Sequence, residues 1–252
     1  MRGCIPTYRW ETLIAQEGTH LRCRFKLRRH GSVGFCFFRH PTSDFSRTAA
    51  LLGNEGLKKL QQSSVAIIGL GGVGSYAVEA IARCGAGSII IVDADRIEAS
   101  NINRQLPALH STLGQYKTDV VAARLQDINP LLKVYKHTCR YNHQTSNQIL
   151  IEKADYVIDA IDSLPDKVHL IKSCLQKNIP IISSMGAARR LDPSMLKVAD
   201  IKDSQVCPMA RRLRRELHKE NIYSGFKVVF SLEPPLKPDG DSAELGSIVM
   251  VP

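Results

Sequence analysis

Short apolar runs alternate with helix-spaced segments along most of this chain. Residues 65–69 form an apolar run that closes in glycine, which predicts a buried strand. Residues 73–83 predict the next helix, closed by Gly85 or Gly87. Ser88–Val92 is a second apolar run. Helical spacing returns over 114–128 and stops before Pro130. Residues 134–139 and 156–160 predict two more strands, 166–176 a helix, and 180–183 another strand. Upstream, residues 48–60 carry Ala50, Leu51, Leu57 and Leu60 and predict a helix broken near Gly53. Strand, helix and strand in repetition predict an α/β fold. Its doubly wound, mostly parallel sheet would have helices on both faces and right-handed crossovers. No repeat of solenoid length interrupts this pattern.

Composition adds little to the fold and something to the partners. Of 252 residues, 44% are hydrophobic and 23% charged, so a sizeable core is available. The net charge of +10 is uneven, because residues 1–43 hold eight Arg or Lys against Glu11 and Glu17. A basic surplus favours anionic partners such as ATP, RNA or an acidic membrane surface. The same segment lacks a sustained period. It reads as a basic N-terminal extension, either a disordered tail or an Arg-rich transit peptide in which Ser is scarce. Localisation is accordingly open between cytoplasm and mitochondrion. Seven cysteines without a C-x-x-C pair argue against a disulfide framework and against a thiolate zinc site. No apolar run approaches the ~20 residues of a transmembrane helix.

The candidate chemistry starts at Gly69-Leu-Gly71-Gly72-Val-Gly74, a G-x-G-x-x-G pattern directly after a strand and opening a helix. The three glycines serve a tight turn, close backbone approach to phosphate, and close helix–strand packing. The helix start offers free N–H groups and partial positive charge to an anion. Asp93, 19 residues after Gly74, ends the second strand in Asp93-Ala-Asp95. A carboxylate there can accept hydrogen bonds from ribose hydroxyls; its plainer reading is a cap on the next turn. On these residues alone an NAD dehydrogenase fits as well as an ATP enzyme.

The stretch beginning at Asp93 resembles the ThiF-type adenylating superfamily, to which the ubiquitin-activating enzymes belong. The resemblance is carried by Asp93-x-Asp95, by Ser100-Asn101-x-Asn103-Arg104-Gln105, by Gly114-Gln115-x-Lys117 and by Asp159-Ala-Ile-Asp162. It runs from about residue 44 to the chain end and implies a Rossmann-like adenylation domain over 44–252. In adenylation a carboxylate attacks the α-phosphorus of ATP and pyrophosphate leaves, so cations must neutralise charge on the phosphates. The resemblance implies Arg104 and Lys117 for that clamp and Asp162 as an acid near Mg²⁺. It also implies Asn103 and Gln105 as contacts to the nucleotide or its loop. Arg47 matches an arginine that the superfamily can contribute across a dimer interface, and a homodimer is implied. Each has a plainer reading: Arg104 paired with a surface acid, Lys117 capping a helix start, Asp162 as the N-cap of the next helix.

Within the superfamily, the remainder resembles the tRNA threonylcarbamoyladenosine dehydratases. The matching pieces include Lys167, Gly186-Ala187, Asp192-Pro193 and Val229-Phe230-Ser231-x-Glu233, with Asp203 followed by Arg211-Arg212-Leu-Arg214-Arg215. The resemblance implies ATP-dependent cyclisation of the threonylcarbamoyl group beside the tRNA anticodon through an adenylated carboxylate. The basic run suits a phosphate backbone and equally a solvated helix face. Lys227-Val228 stand where branch members often have a cysteine, and the chain ends at Ile248–Pro252 where the family continues into a closing helix. A truncated C-terminal part is therefore expected. Cys207 reads either as a reactive thiolate at a helix start or as an inert structural residue. The alternatives are an activator of a sulfur-carrier or ubiquitin-like protein, and a non-catalytic nucleotide- or RNA-binding module.

Overall fold

The computed structural model describes residues 44–149 and 151–236, together with the backbone of 14–17, 20–24 and 35–37. The chain divides into two compact units, Met1–Gly53 and Asn54–Pro252. In the first, β1 (Ile14–Glu17), β2 (His20–Arg24) and β3 (Phe35–Phe37) form an antiparallel sheet in that order. Strands of three to five residues are too short to display a period of two, so no sequence pattern announces them. The remainder of 1–43, and with it the transit-peptide question, lies outside the described residues, as does the apolar chain end. Helix α1 (Ser46–Gln62) is broken at Gly53, whose φ of 73° and ψ of 167° are not helical.

The second unit contains the predicted alternation. It runs β4 (Ser64–Ile68), α2 (Gly74–Cys84), β5 (Ser88–Val92), α3 (Lys117–Ile128), β6 (Lys133–His137), β7 (Tyr156–Asp159), α4 (Leu164–Gln176), β8 (Ile181–Ser184), β9 (Leu196–Asp200), α5 (Pro208–Lys219) and β10 (Lys227–Ser231). The sheet order is β6-β5-β4-β7-β8-β10-β9. All pairs are parallel except β9 with β10. The chain builds outward from β4 to β5 and β6, then returns to place β7 on the other side of β4. That reversal opens a crevice at the carboxyl ends of β4 and β7.

The apolar runs are explained by burial on both faces. Ala66 and Ile68 of β4 join a cluster with Leu170, Ile171 and Cys174 of α4 and Leu213 and Leu217 of α5. Val65 and Ile67 point to the other face, against Val78 and Ala82 of α2 and Val121 and Leu125 of α3. Successive strand residues alternate between the faces. Among the described residues no helix is long and apolar enough to cross a membrane.

Two departures matter for the site. The helix expected over 114–128 starts only at Lys117; Gly114 has φ 80° and its N–H donates to Ile97 O, so 114–116 is a turn. Strand β9 has no counterpart in the sequence pattern, because its five residues sit on a sheet edge and are only partly buried. Gly69 and Gly74 take the turn and close-packing roles that their spacing predicts. Gly69 has φ 93°, and a Cβ there would stand 2.7 Å from Ala160 O on the neighbouring β7 loop. A Cβ on Gly74 would stand 1.8 Å from Gly69 O. Gly74→Ala is therefore expected to cost about 3 kcal/mol in chemical denaturation, because backbone rather than a side chain must move. Gly71→Ala, whose Cβ meets nothing nearer than 4.0 Å, should cost less than about 1 kcal/mol.

Candidate nucleotide site

One pocket of about 720 Å³ occupies the crevice. Gly69, Gly71, Gly72, Asp93, Asp95, Arg104, Gln105, Lys117 and Asp162 all line it. Gly74 sits behind the loop, and Asn103 lies off the pocket, where its Oδ1 accepts from Arg104 at 3.0 Å.

The glycine loop leads into α2 with Val73 on the pocket lining; within the first turn Ser75 N donates to Gly71 O and Ala77 N to Val73 O. The N-cap is Val73, which offers no side-chain acceptor to the helix amides. The amides of the loop and first turn that these bonds leave unused, together with the helix dipole, can bind an anion. Asp93 does two jobs. Its Oδ2 accepts from Leu70 N at 2.7 Å and its Oδ1 from Asp95 N at 2.8 Å, so it clasps the glycine loop to the β5 turn. The capping reading is thus real, and each oxygen keeps a further lone pair for a ligand. Burial pushes the Asp93 carboxyl above the usual carboxylate range, against the pull of Lys117 and the two amides.

Lys117 is the first residue of α3, and its side chain turns back into the pocket with only 4% of the residue exposed. Its Nζ lies 2.7 Å from Asp95 Oδ2 and 4.0 Å from Asp93 Oδ1. Arg104 is held differently. Its guanidinium donates to Ser100 O at 2.8 Å and to Asn103, and no described acid pairs with it. The surface-pair reading therefore finds no partner among the described residues. The turn that carries it is set by buried Asn101, whose carbonyl accepts from Arg104 N and Gln105 N. Gln105 is buried, and its Oε1 finds no hydrogen-bond partner among the described residues. An unmet buried acceptor costs about 1–3 kcal/mol, a deficit that a donor on a bound ligand would remove.

Asp162 reaches the rim from the turn after β7. It is exposed, and it is not the N-cap of α4, a position that Ser163 holds. The turn is set from beneath by a fully buried ion pair, Lys167 Nζ to Asp159 Oδ2 at 2.8 Å. Asp159 Oδ1 also accepts from Ile161 N at 3.0 Å.

Other lining residues have no local signal in the sequence. Arg96 lies 3.8 Å over the Tyr116 ring and donates to Gly114 O. Arg140 and Tyr141 come from the β6–β7 connection, which is pinned to α4 by Arg140–Asp166 at 2.8 Å and by Tyr141 Oη to His169 Nδ1 at 3.1 Å. The basic run of α5 divides. Arg214 is turned inward onto the carbonyl of Ser204 and its hydroxyl, Lys219 pairs with Glu216 at 2.5 Å, and Arg211 and Arg212 stay exposed. Cys207 is buried, which agrees with the inert reading.

Comparison with known proteins agrees with this geometry. The sequence model of the ThiF family matches residues 45–220. Over 192 residues the chain is 47% identical to the tRNA threonylcarbamoyladenosine dehydratase of Bacillus subtilis (strain 168), covering 76% of each. The Escherichia coli (strain K12) protein of the same name is 34% identical over 204 residues, 78% of this chain and 76% of that one. Crystal structures of that E. coli enzyme, TcdA, in complex with ATP and with AMP match with a TM-score of 0.78 at 34% identity. They cover 83% of this chain and 87% of theirs. The chain belongs to the ThiF family and, within it, to the tRNA threonylcarbamoyladenosine dehydratases.

Proposed function

We propose that this chain uses ATP to cyclise the threonylcarbamoyl group of a modified adenosine in tRNA, through an adenylated carboxylate. The observation that carries the reading is the convergence of four groups on one pocket. They are the N-terminus of α2, which has no side-chain cap, Arg104 without an acid partner among the described residues, the buried Lys117, and Asp162 at the rim. Asp93 accepts the ribose hydroxyls while it keeps the glycine loop in place. The α2 amides, Arg104 and Lys117 face the phosphates. The carboxylate of the modified base attacks the α-phosphorus, the bond to the β-phosphate oxygen breaks, and pyrophosphate departs with its charge neutralised by the two cations. The activated carboxyl is then attacked from within the same substituent, and AMP leaves.

Asp162 fits Mg²⁺. Its carboxylate is exposed and accepts no hydrogen bond from the described residues, and Mg²⁺ takes one or two carboxylates besides substrate phosphates. Bound there, Mg²⁺ would offset phosphate charge. Among the described residues no group of three or more His, Cys, Asp or Glu could hold a metal ion. For the tRNA, the exposed Arg211 and Arg212 are the contacts to phosphate, close along α5 to Met209 at the pocket. A homodimer with Arg47 reaching a second copy's site belongs to the same reading.

ATP–pyrophosphate exchange tests it. Exchange should depend on tRNA that carries threonylcarbamoyladenosine, and Arg104→Ala and Lys117→Ala should each lower it about 10²-fold. Arg104→Ala should leave the unfolding transition in place. Burial changes the expectation for Lys117: its removal leaves Asp93 buried beside no cation and should cost about 2 kcal/mol. Wild-type exchange rates in both variants, or exchange driven instead by a small protein with a Gly-Gly tail, would refute the assignment.

A further inference from the structure

The pocket has a second end that the nucleotide does not explain. Along the order β5-β4-β7-β8, the ribose acid, the glycine loop and Asp162 stand after the first three strands, and Gly186, Ala187 and Ala188 stand after the fourth. These three residues line the pocket but bring no side-chain chemistry to it. What shapes them is Arg190, which is 3% exposed and stands behind the wall. Its Nη1 donates to Gly186 O and to Ala188 O, the latter at 3.3 Å, and its Nε donates to Glu233 O at 3.0 Å. Glu233 returns the contact, its carboxylate accepting from Leu191 N and Asp192 N at 3.0 Å. Wall, turn and the end of β10 are one clasp.

The clasp is unlike ordinary packing in two respects. The cation is buried, yet its hydrogen-bond partners among the described residues are backbone carbonyls and not a carboxylate. Its Nη2 is buried with no acceptor in bonding distance among the described residues. Burying a charge is costly, and among the described residues no carboxylate offsets it. The second respect is in the backbone. The peptides are all trans, and in a trans peptide the N–H points opposite to the C=O. Drawing Gly186 O back onto Arg190 turns the Ala187 N–H the other way, towards the pocket that Gly186 and Ala187 line. That N–H donates to none of the described residues.

We propose that Arg190 is the positioning residue for the acceptor end of the pocket. It sets the Ala187 N–H as a donor to the carboxylate that is to be adenylated, and it adds behind that donor a positive charge with no carboxylate partner among the described residues. In-line displacement brings the acceptor to the α-phosphorus opposite the departing pyrophosphate, and the wall after β8 is the part of the pocket lining that the nucleotide groups named above do not use. The inference rests on the adenylation reading above and names residues for its second substrate.

The test separates acceptor from nucleotide. Arg190→Met and Arg190→Lys are compared with the wild type for tRNA KM and kcat in pyrophosphate exchange, for ATP affinity without tRNA, and for the unfolding transition. Arg190→Met should raise the tRNA KM about tenfold, change kcat less, and leave ATP affinity within about twofold; Arg190→Lys should recover part of the loss. Glu233→Gln, which loosens the clasp and keeps the cation, should shift KM in the same direction and serves if Arg190→Met does not fold. An unchanged tRNA KM, or ATP affinity falling in parallel with it, overturns the inference while wild-type exchange still stands. Absence of tRNA-dependent exchange in the wild type removes the functional reading and this inference with it.

Discussion

At the carboxyl ends of β7 and β8, Lys167 and Asp159 are shut away from water together. Each ion loses several kcal/mol of hydration on burial, and the arrangement offsets this only because it is complete. The ammonium donates to Asp159 Oδ2, to Ser183 Oγ at 3.3 Å and to Ser184 O at 3.0 Å, which uses all three protons. The carboxylate also receives Ser183 Oγ and Ile161 N. One network therefore fixes both turns that form the far side of the pocket: the β7 turn that presents Asp162, and the exit from β8 that becomes the Gly186 wall. Removing one partner would leave a bare charge in the core, so the pair cannot drift without the site drifting.

The near side is held by a second carboxylate used in the same way. Asp93 ties the glycine loop to the β5 turn, and Lys117 balances it from α3. The two sides meet where Gly69 passes Ala160 too closely for any side chain. Against this fully bonded frame stand two buried side-chain atoms without partners among the described residues, Gln105 Oε1 and Arg190 Nη2. Only the first of these, Gln105 Oε1, belongs to a residue that lines the pocket; the other stands behind its wall.

Much of this is legible in the sequence, for identifiable reasons. The apolar runs of β4, β5 and β7 are unbroken because both faces are covered, and Gly69 and Gly74 stand where contacts exclude a Cβ. Features that depend on tertiary proximity are not legible. Nothing near Arg190 in the chain announces Glu233, 43 residues on, and nothing near Arg140 announces Asp166. The cations of the α5 stretch look alike in the sequence, yet the fold turns Arg214 inward, pairs Lys219 and leaves Arg211 and Arg212 outside. The turn at 114–116 reads as helix in the sequence because Gly114 stands just before a strong helical period.

Whether the pocket activates a carboxylate on tRNA or one on a protein tail is decided most directly by mass spectrometry of nucleosides. Purified chain is incubated with ATP and tRNA carrying threonylcarbamoyladenosine. The expected result is that this nucleoside is replaced by a product lighter by one water, with AMP formed in equal amount. An unchanged nucleoside, in a protein that binds ATP and folds normally, would contradict activation of a tRNA carboxylate.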